Sequence, residues 1–411
     1  MCRIIFIKSE NLYNGHMLKN KTILLGVTGS IAAYKAAGLA SLLVKNRATV
    51  HVIMTEHAAN IINPITFETL TGNKCLIDTF DRNFQFNVEH VSLAKLADLF
   101  IVAPATANTI AKLAHGLADD MLSTTFLACS CPKLIAPAMN TRMLDNPITR
   151  RNLEICASYG MRIVESATGR LACGDEGKGK MPEPDALFEH IAHEIAFKKD
   201  FAGKRILVTA GATQEAIDPV RFLTNHSTGK MGFALARAAS MRGADVTLVS
   251  GAVRERPPLF VKRVDVVSAR EMFDAVKAHF ADCDIVLKAA AVADYRPAEY
   301  SDQKMKKMDG EAVIRLERTD DILKFMGENK TKQFLCGFSM ETQDVIANSR
   351  KKLVAKRLDM VVANSLSVPG AGFGTDTNIV TIITGDGETD VPLMRKDEVA
   401  HVILDEIVRR L

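Results

Sequence analysis

TAGATQEAIDPVRFLTNHSTGKMG, Thr209 to Gly232, lies near the middle of the chain and decides how the fold is read. An apolar run, Ile206 to Val208, precedes it, and a helical pattern beginning at Phe233 follows. A strand feeding a glycine-bearing loop and then a helix N-terminus is how α/β proteins hold phosphate. Free N–H groups and the positive end of the helix dipole face the anion. Plain connections of this kind rarely exceed about six residues. This one is far longer and places Arg221, Asn225, His226, Ser227, Thr228 and Lys230 within ten positions. The pattern predicts a functional loop. Its glycines fit neither a dinucleotide fingerprint nor a Walker loop.

Working outward, 411 residues suggest two or three domains. A hydrophobic content of 47% with 24% charged residues is that of ordinary globular chains, enough for two full cores. The net charge of +4 is too small to imply nucleic acid. Basic residues cluster at Lys304 to Lys307 and Arg350 to Arg357, which suits a small polyanion better than a duplex. Eight scattered cysteines, with no C-x-x-C and no zinc spacing, fit a reducing compartment. No apolar run reaches membrane-spanning length, and residues 1–8 turn polar too soon for a signal peptide. The reading is a cytoplasmic protein that binds no membrane. Residues 9–16 are polar and patternless, so translation is expected to begin at Met17.

In the first half, buried-strand runs are predicted at Thr22 to Val27, Ala48 to Met54, Leu99 to Ala103, Lys133 to Ala136 and Met161 to Val164. Helices are predicted at Ile31 to Lys45, capped by Ser30, and at about 91–97, 106–115, 118–129 and 141–158. Such alternation implies a doubly wound parallel sheet with ligands at the strand C-termini. Those ends carry Gly29, Ser30, Thr55, Thr106, Asn108 and Thr109. They read either as a phosphate-bearing cofactor site or as three well-capped helices. Glu56 ends the second strand where a Rossmann protein keeps its ribose-binding acid, but Gly26 to Ala32 lacks G-x-G-x-x-G geometry, which argues against NAD. His90 opens a short amphipathic helix. Asn140 follows a strand, as a carboxylate ligand or an N-cap. Cys173 lies among glycines 169, 174, 177 and 179, in a linker or, as its surroundings favour, a mobile flap.

A helix from Asp185 to Phe197 and the run Lys198 to Gly203 mark a boundary near residue 200, dividing 17–198 from 199–411. Beyond it the α/β pattern restarts. Strands are predicted at 204–209, 245–249, 263–267, 284–288, 312–317, 333–338, 359–363 and 378–384, and helices at 229–242, 269–280, 321–330, 343–357 and 397–410. The strand ending at Lys288 runs into Ala289, Ala290 and Ala291, small enough for a ligand to approach the backbone, and then Asp294, a candidate for a ribose hydroxyl or a metal. Phe338 closes a strand where an aromatic can pack a base. Lys352 and Lys356 share a helix face one turn apart.

DPVRFLTNHSTGKMG resembles the signature of phosphopantothenate–cysteine ligases, and the first half resembles flavin-dependent phosphopantothenoylcysteine decarboxylases. The bifunctional coenzyme A biosynthesis proteins of bacteria join both in this order, and the resemblance covers nearly everything after residue 20. It implies two doubly wound α/β domains: a flavodoxin-like FMN domain, then a Rossmann-like nucleotide-binding ligase domain. It implies that GSIAAYK, MTE and APATANT, with Ala138, hold FMN. It casts His90 as base, Asn140 as the carboxylate-orienting amide and Cys173 as proton donor. Loss of CO₂ from a cysteine carboxylate leaves a carbanion with no electron sink, and an oxidised flavin supplies one by turning the CH₂–SH end into a thioaldehyde. In the second half it implies CTP, Mg²⁺ and an acyl-cytidylate. Asn225 and Arg221 act on the activated acyl group. Ser227, Gly229, Ala289 to Ala291, Asp294, Lys304, Asp320, Asp321, Ile322, Phe338, Lys352 and Lys356 meet the nucleotide. The substrates are 4'-phosphopantothenate, L-cysteine and CTP, and the assembly is a homo-oligomer with trimer-type flavin and dimer-type ligase contacts. One departure stands out: Thr319-Asp-Asp-Ile322 replaces the family's Asn-Pro-Asp-Ile. The competing readings are an NAD-linked oxidoreductase, which lacks its dinucleotide loop here, and a non-catalytic flavin-binding partner, against which His90, Asn140 and Cys173 together count.

Overall fold

The computed structural model describes residues 17–79, 89–170, 174–306, 313–341, 344–365, 372 and 374–411. The chain divides between Phe197 and Lys198 into two compact units. The first is built on strands β1 (Thr22–Val27), β2 (Thr49–Met54), β3 (Leu99–Ala105), β4 (Lys133–Pro137) and β5 (Arg162–Ile163), all parallel, in the order β2-β1-β3-β4-β5. Side chains alternate across each strand, so Ile23, Leu25 and Val27 enter one core while Leu24 enters the other. Burial on both faces is what allows β1 and β3 to read as unbroken apolar runs. This is the flavodoxin order, with its switch point between β1 and β3.

An antiparallel hairpin, β6 (Ala167–Arg170) and β7 (Glu176–Lys180), completes the unit. The glycine-rich stretch around it was expected as a linker or a flap, and its described residues form paired strands. The helix expected over 141–158 is two helices, Thr141–Leu144 and Pro147–Ser158. Pro147 cannot donate into the preceding turn, and Asn146 Oδ1 caps the new helix by accepting from Ile148 N at 2.9 Å. Ser30 does not cap its helix as expected. The cap position falls to Ala32, and Ser30 Oγ accepts only from Ala32 N, at 3.4 Å.

The second unit contains β8 (Arg205–Ala210), β9 (Gln214–Ala216), β10 (Phe222–Thr224), β11 (Asp245–Ser250), β12 (Val261–Asp265), β13 (Ile285–Lys288), β14 (Tyr295–Pro297), β15 (Leu316–Arg318), β16 (Phe334–Glu341), β17 (Met360–Ser365), β18 (Thr377–Thr384) and β19 (Gly387–Arg395). Its main sheet runs β12-β11-β8-β13-β16-β17-β18-β19. The first six strands are parallel in Rossmann order, and β18 and β19 add an antiparallel edge. Both units are therefore doubly wound α/β, as expected. The sequence reading missed β19, the small pair β9–β10 and β14, and its strand over 312–317 overlaps β15 only at 316–317. They lie where exposed polar residues interrupt the alternation on which strand prediction rests.

Arg242, 5% exposed, ties the two helices on one face of this sheet. Nε and Nη2 donate to both carboxylate oxygens of Asp200 (2.8 and 2.6 Å), and Nη1 to Asp405 (2.7 Å) and to the carbonyl of His401 (3.3 Å). Burial and the Arg242 charge, opposed by Asp200, pull the His401 imidazole from 6.5 down to about 3. Between those values the unfolded chain binds a proton that the folded chain refuses, so stability falls as pH drops. At 1.36 kcal/mol per unit, this histidine costs the fold about 2 kcal/mol at roughly pH 5. We therefore expect His401→Gln to flatten the pH dependence of the second unit's melting temperature between about pH 6.5 and 5. An unchanged slope in calorimetric scans would remove His401 as the source.

Candidate functional site

At the carboxyl end of the first sheet, Thr28 Oγ1 is buried and donates to Pro104 O (2.7 Å), while it accepts from Thr106 N (3.0 Å). This joins the ends of β1 and β3 at the switch point. Thr106 caps helix Ala107–His115, accepting from Thr109 N (3.3 Å), and the two hydroxyls lie 3.1 Å apart. Thr55 caps Glu56–Ala59 in the same way, and Asn108 stands exposed in the first turn of its helix. At Gly29 a Cβ would come within 2.6 Å of His57 Cβ, so only glycine lets this turn approach so closely. A cavity of about 540 Å³ opens here, and it brings together Ser30, Ala138 and Asn140 from the predicted set, with Tyr34, Lys35 and Arg170. Thr55, Thr106, Asn108, Thr109 and His90 are not in its lining.

Asn140 takes the N-cap role anticipated for it, and its amide nitrogen faces a carboxylate of the protein itself. Its Oδ1 accepts from Arg142 N (2.8 Å) as an N-cap, and its Nδ2 reaches Asp175 of the hairpin (3.5 Å). The hairpin docks because two of its glycines permit it. A Cβ at Gly177 would meet Thr141 Oγ1 at 2.4 Å, and one at Gly179 would meet Met139 O at 2.1 Å. Thr141 Oγ1 donates to Lys178 O (2.6 Å) and Met139 N to Gly179 O (3.1 Å). Cys173 lies outside the described residues. His90 sits partly buried in helix Glu89–Leu96, whose Leu93 and Ala94 enter the core. Lys35, the last residue of GSIAAYK, is buried and donates to Met181 O (3.1 Å) and Glu183 (2.8 Å).

In the second unit a cavity of about 640 Å³ gathers Asp294, Asp320, Asp321, Ile322, Lys352 and Lys356, together with Lys288, Thr319 and Arg318. Lys352 Nζ donates to Phe338 O (3.0 Å), and Lys356 pairs with Asp321. Burial opposes the Asp321 charge, but hydrogen bonds from Lys356 and from Lys324 N outweigh it and hold the acid low. Lys288 escaped the sequence reading because it looks like the last residue of a core strand. Burial and the neighbouring Lys352 ammonium, opposed by Asp294 and Asp321, pull it down to about 8. At the departure from the family pattern, Thr319 donates to Ala293 O (2.6 Å) and its amide to Asp294 O (3.0 Å), fastening β15 to the cavity wall. The Phe338 ring packs against the core and is partly exposed.

The organising loop is more structured than expected. β9 and β10 pair within it, and the helix begins at Lys230 after Gly229, whose φ is +82°. Asn225 Nδ2 donates to Ala291 O (3.1 Å), joining the loop to the end of β13. The amides of Ala289, Ala290 and Ala291 are already taken, by Thr209 O (3.2 Å), Thr209 Oγ1 (3.2 Å) and Gly211 O (2.8 Å). Ser227 Oγ accepts from Gly229 N at 3.4 Å, Arg221 pairs with Asp218, and Lys304 is exposed. A smaller cavity of about 320 Å³ at Lys230, Arg237 and Lys396 takes only Lys230 from the organising loop, and that lysine pairs with Asp376.

Residues 201–411 match the family model of the DNA/pantothenate metabolism flavoprotein C-terminal domain, and residues 12–196 match the flavoprotein model. Over 397 residues the chain is 49% identical to the coenzyme A biosynthesis bifunctional protein CoaBC of Bacillus subtilis (strain 168), covering 95% of this chain and 97% of that one. The chain belongs to this bifunctional coenzyme A biosynthesis family. It is also 46% identical over 355 residues to a cysteine/cysteine sulfinic acid decarboxylase of an unknown prokaryotic organism, covering 85% of this chain and 99% of that one. Among solved structures, that of the C-terminal domain of a CoaBC protein is 48% identical with a TM-score of 0.45, covering 52% of this chain and 98% of that one.

The helix starts capped by Thr55 and Thr106 at the strand ends are of the kind that suits a flavin phosphate in the first unit. In the second unit no group of three or more metal-ligating side chains occurs among the described residues. Magnesium there would rest on nucleotide phosphates with a single carboxylate, a common arrangement for this ion. Gly179 provides a direct test of the hairpin, because its φ of +123° and its contact with Met139 O both exclude a side chain. We expect Gly179→Ala to lower the first unit's calorimetric transition by about 1–3 kcal/mol while the second unit's stays. An unshifted first transition would mean that the hairpin is not docked.

Proposed function

We propose that this chain makes 4'-phosphopantetheine in two steps. Residues 199–411 ligate 4'-phosphopantothenate to L-cysteine at the expense of CTP, and residues 17–198, with FMN, decarboxylate the product. The observation that carries the reading is the cavity where Lys288, Lys352 and Lys356 stand among Asp294, Asp320 and Asp321, beyond the carboxyl end of β13 in a Rossmann-order sheet. Three ammonium groups around a pocket of that size suit a nucleoside triphosphate.

In the ligation, the pantothenate carboxylate attacks the α-phosphorus of CTP and pyrophosphate leaves. The cysteine amine then attacks the acyl carbon and CMP leaves. Lys352 and Lys356 neutralise the departing pyrophosphate, and Asp294 would be the carboxylate to hold Mg²⁺, which would add further positive charge there. Asn225, fixed by Ala291, presents its amide to the activated acyl group. Arg221 and Lys304 are assigned to the same ligation as further cations for its anionic groups, and Ser227 and Gly229 present the helix start to phosphate.

In the decarboxylation, FMN supplies when bound the electron sink that lets the cysteine carboxylate leave as CO₂. Asn140, held by Arg142 N, orients that carboxylate, His90 takes the proton from the substrate thiol end, and Cys173 returns a proton at the end of the cycle. Cytoplasmic location and assembly through trimer-type flavin and dimer-type ligase contacts belong to the same reading.

The direct test is incubation of the purified chain with phosphopantothenate, cysteine, CTP and Mg²⁺, with products identified by mass. Free cysteine alone serves as the competing substrate. Phosphopantetheine as the product is expected, and turnover of free cysteine without CTP would replace this reading. Asn225→Asp should slow ligation by about 10²-fold, since a carboxylate repels the acyl phosphate that an amide stabilises. Cys173→Ser should release CO₂ but yield a product two hydrogens lighter than phosphopantetheine; normal product at normal rate would return Cys173 to a structural role. Cleavage between 198 and 199 should leave two fragments with separate activities, and inactive fragments would argue for one interdependent unit.

A further inference from the structure

Asp218 sits in the turn between β9 and β10 with 2% of its surface exposed, and its carboxylate accepts five hydrogen bonds. Oδ1 takes Val220 N and Arg221 N, each at 2.8 Å, which shapes the turn. Oδ2 takes Nε of Arg221 at 2.9 Å, its Nη2, and the amide of Met305 at 3.1 Å. Arg221 Nη2 also donates to Met305 O (2.8 Å), and Ser301 N donates to Ile217 O (3.1 Å). One buried carboxylate thus holds two things at once: the planar face of Arg221, gripped through two nitrogens, and the backbone beside Lys304. Two charge-assisted bonds from Nε and Nη2 converging on one oxygen hold that edge of the guanidinium against the turn. Arg221 Nη1 has no partner among the described residues and is left for a ligand.

We infer that Asp218 is a positioning residue for ligation: it latches segment 301–306 to the Arg221 turn and so sets the spacing between Lys304 and Arg221 across the bound nucleotide. This rests on the proposed ligase function of the second unit. The two cations lie 83 residues apart in sequence, and the latch is what makes them one group. Proximity gained this way is worth about 10²-fold in rate for a displacement near 1 Å.

Asp218→Asn separates the latch from the turn. Its oxygen can still serve Val220 N and Arg221 N, but its NH₂ would face the Arg221 and Met305 donors, donor against donor. In the full chain loaded with FMN we expect ligation kcat to fall by about 10²-fold and KM for CTP to rise, with decarboxylation of phosphopantothenoylcysteine unchanged. Adding Lys304→Gln to Asp218→Asn should cost little more than Asp218→Asn alone. A lower yield of active enzyme with KM for CTP unchanged would show a merely structural carboxylate and overturn the inference, as would ligation within twofold of wild type. Hydrogen exchange gives a second readout that needs no variant: the Met305 amide should be protected in the wild-type chain, and fast exchange there overturns the latch. That measurement holds even if the wild-type chain ligates nothing, a result that would sink the functional reading and not the latch.

Discussion

The end of β13 is held to the end of β8 by Ala291 N donating to Gly211 O at 2.8 Å and Ala289 N donating to Thr209 O at 3.2 Å. The functional end of the second unit depends on this seam. A parallel sheet splays at its switch point because neighbouring strands leave for helices on opposite faces. Here the two chains continue side by side past the sheet, as far as the bridge between Ala212 and Ala291. The seam fits because side chains are missing where they would collide. A Cβ on Gly232 would meet Ala210 Cβ at 2.5 Å, and one on Gly251 would meet Ala212 O at 2.3 Å. With the backbone fixed, Ala291 O faces Asn225, and Val292 and Asp294 turn into the lysine-lined cavity.

Gathering Lys288, Lys352 and Lys356 in one pocket costs free energy when no anion is bound. The protein offsets part of that cost with acids, and the balance is uneven. Lys356 is paired with Asp321, while Lys288 is half-buried with its ammonium on Ala290 O (3.0 Å) and its proton affinity reduced. The first unit solves a different problem. Its cavity is lined largely by apolar groups, with Ile31, Tyr34, Ala138 and Met181 beside Ser30 and Asn140. An apolar wall of this kind lowers the dielectric around whatever polar group enters the cavity.

Much of this was legible from residue patterns. Two-sided burial makes β1, β3 and β8 read as continuous apolar runs, and the helix at Ala269–Phe280 lies where its Ser268 cap and 3.6-residue period put it. The candidate residues fell at strand ends because only there can a side chain leave the sheet. Failures came where local rules compete. Asn146-Pro147 broke a helix that the apolar period carried through, and Ala32 displaced Ser30 from the cap position. Glycines 177 and 179 looked like freedom of motion, yet they serve close contact with Thr141 and Met139.

The sequence alone therefore determined the two α/β units and the division near residue 200, because periodicity is a local property. Tertiary structure alone decided which chemical groups meet. Asp218 reads as an ordinary turn residue beside Pro219, and Met305 as a break in a lysine run. Only folding puts that carboxylate on that amide, because the contact spans 87 positions and leaves no mark in the spacing of either segment.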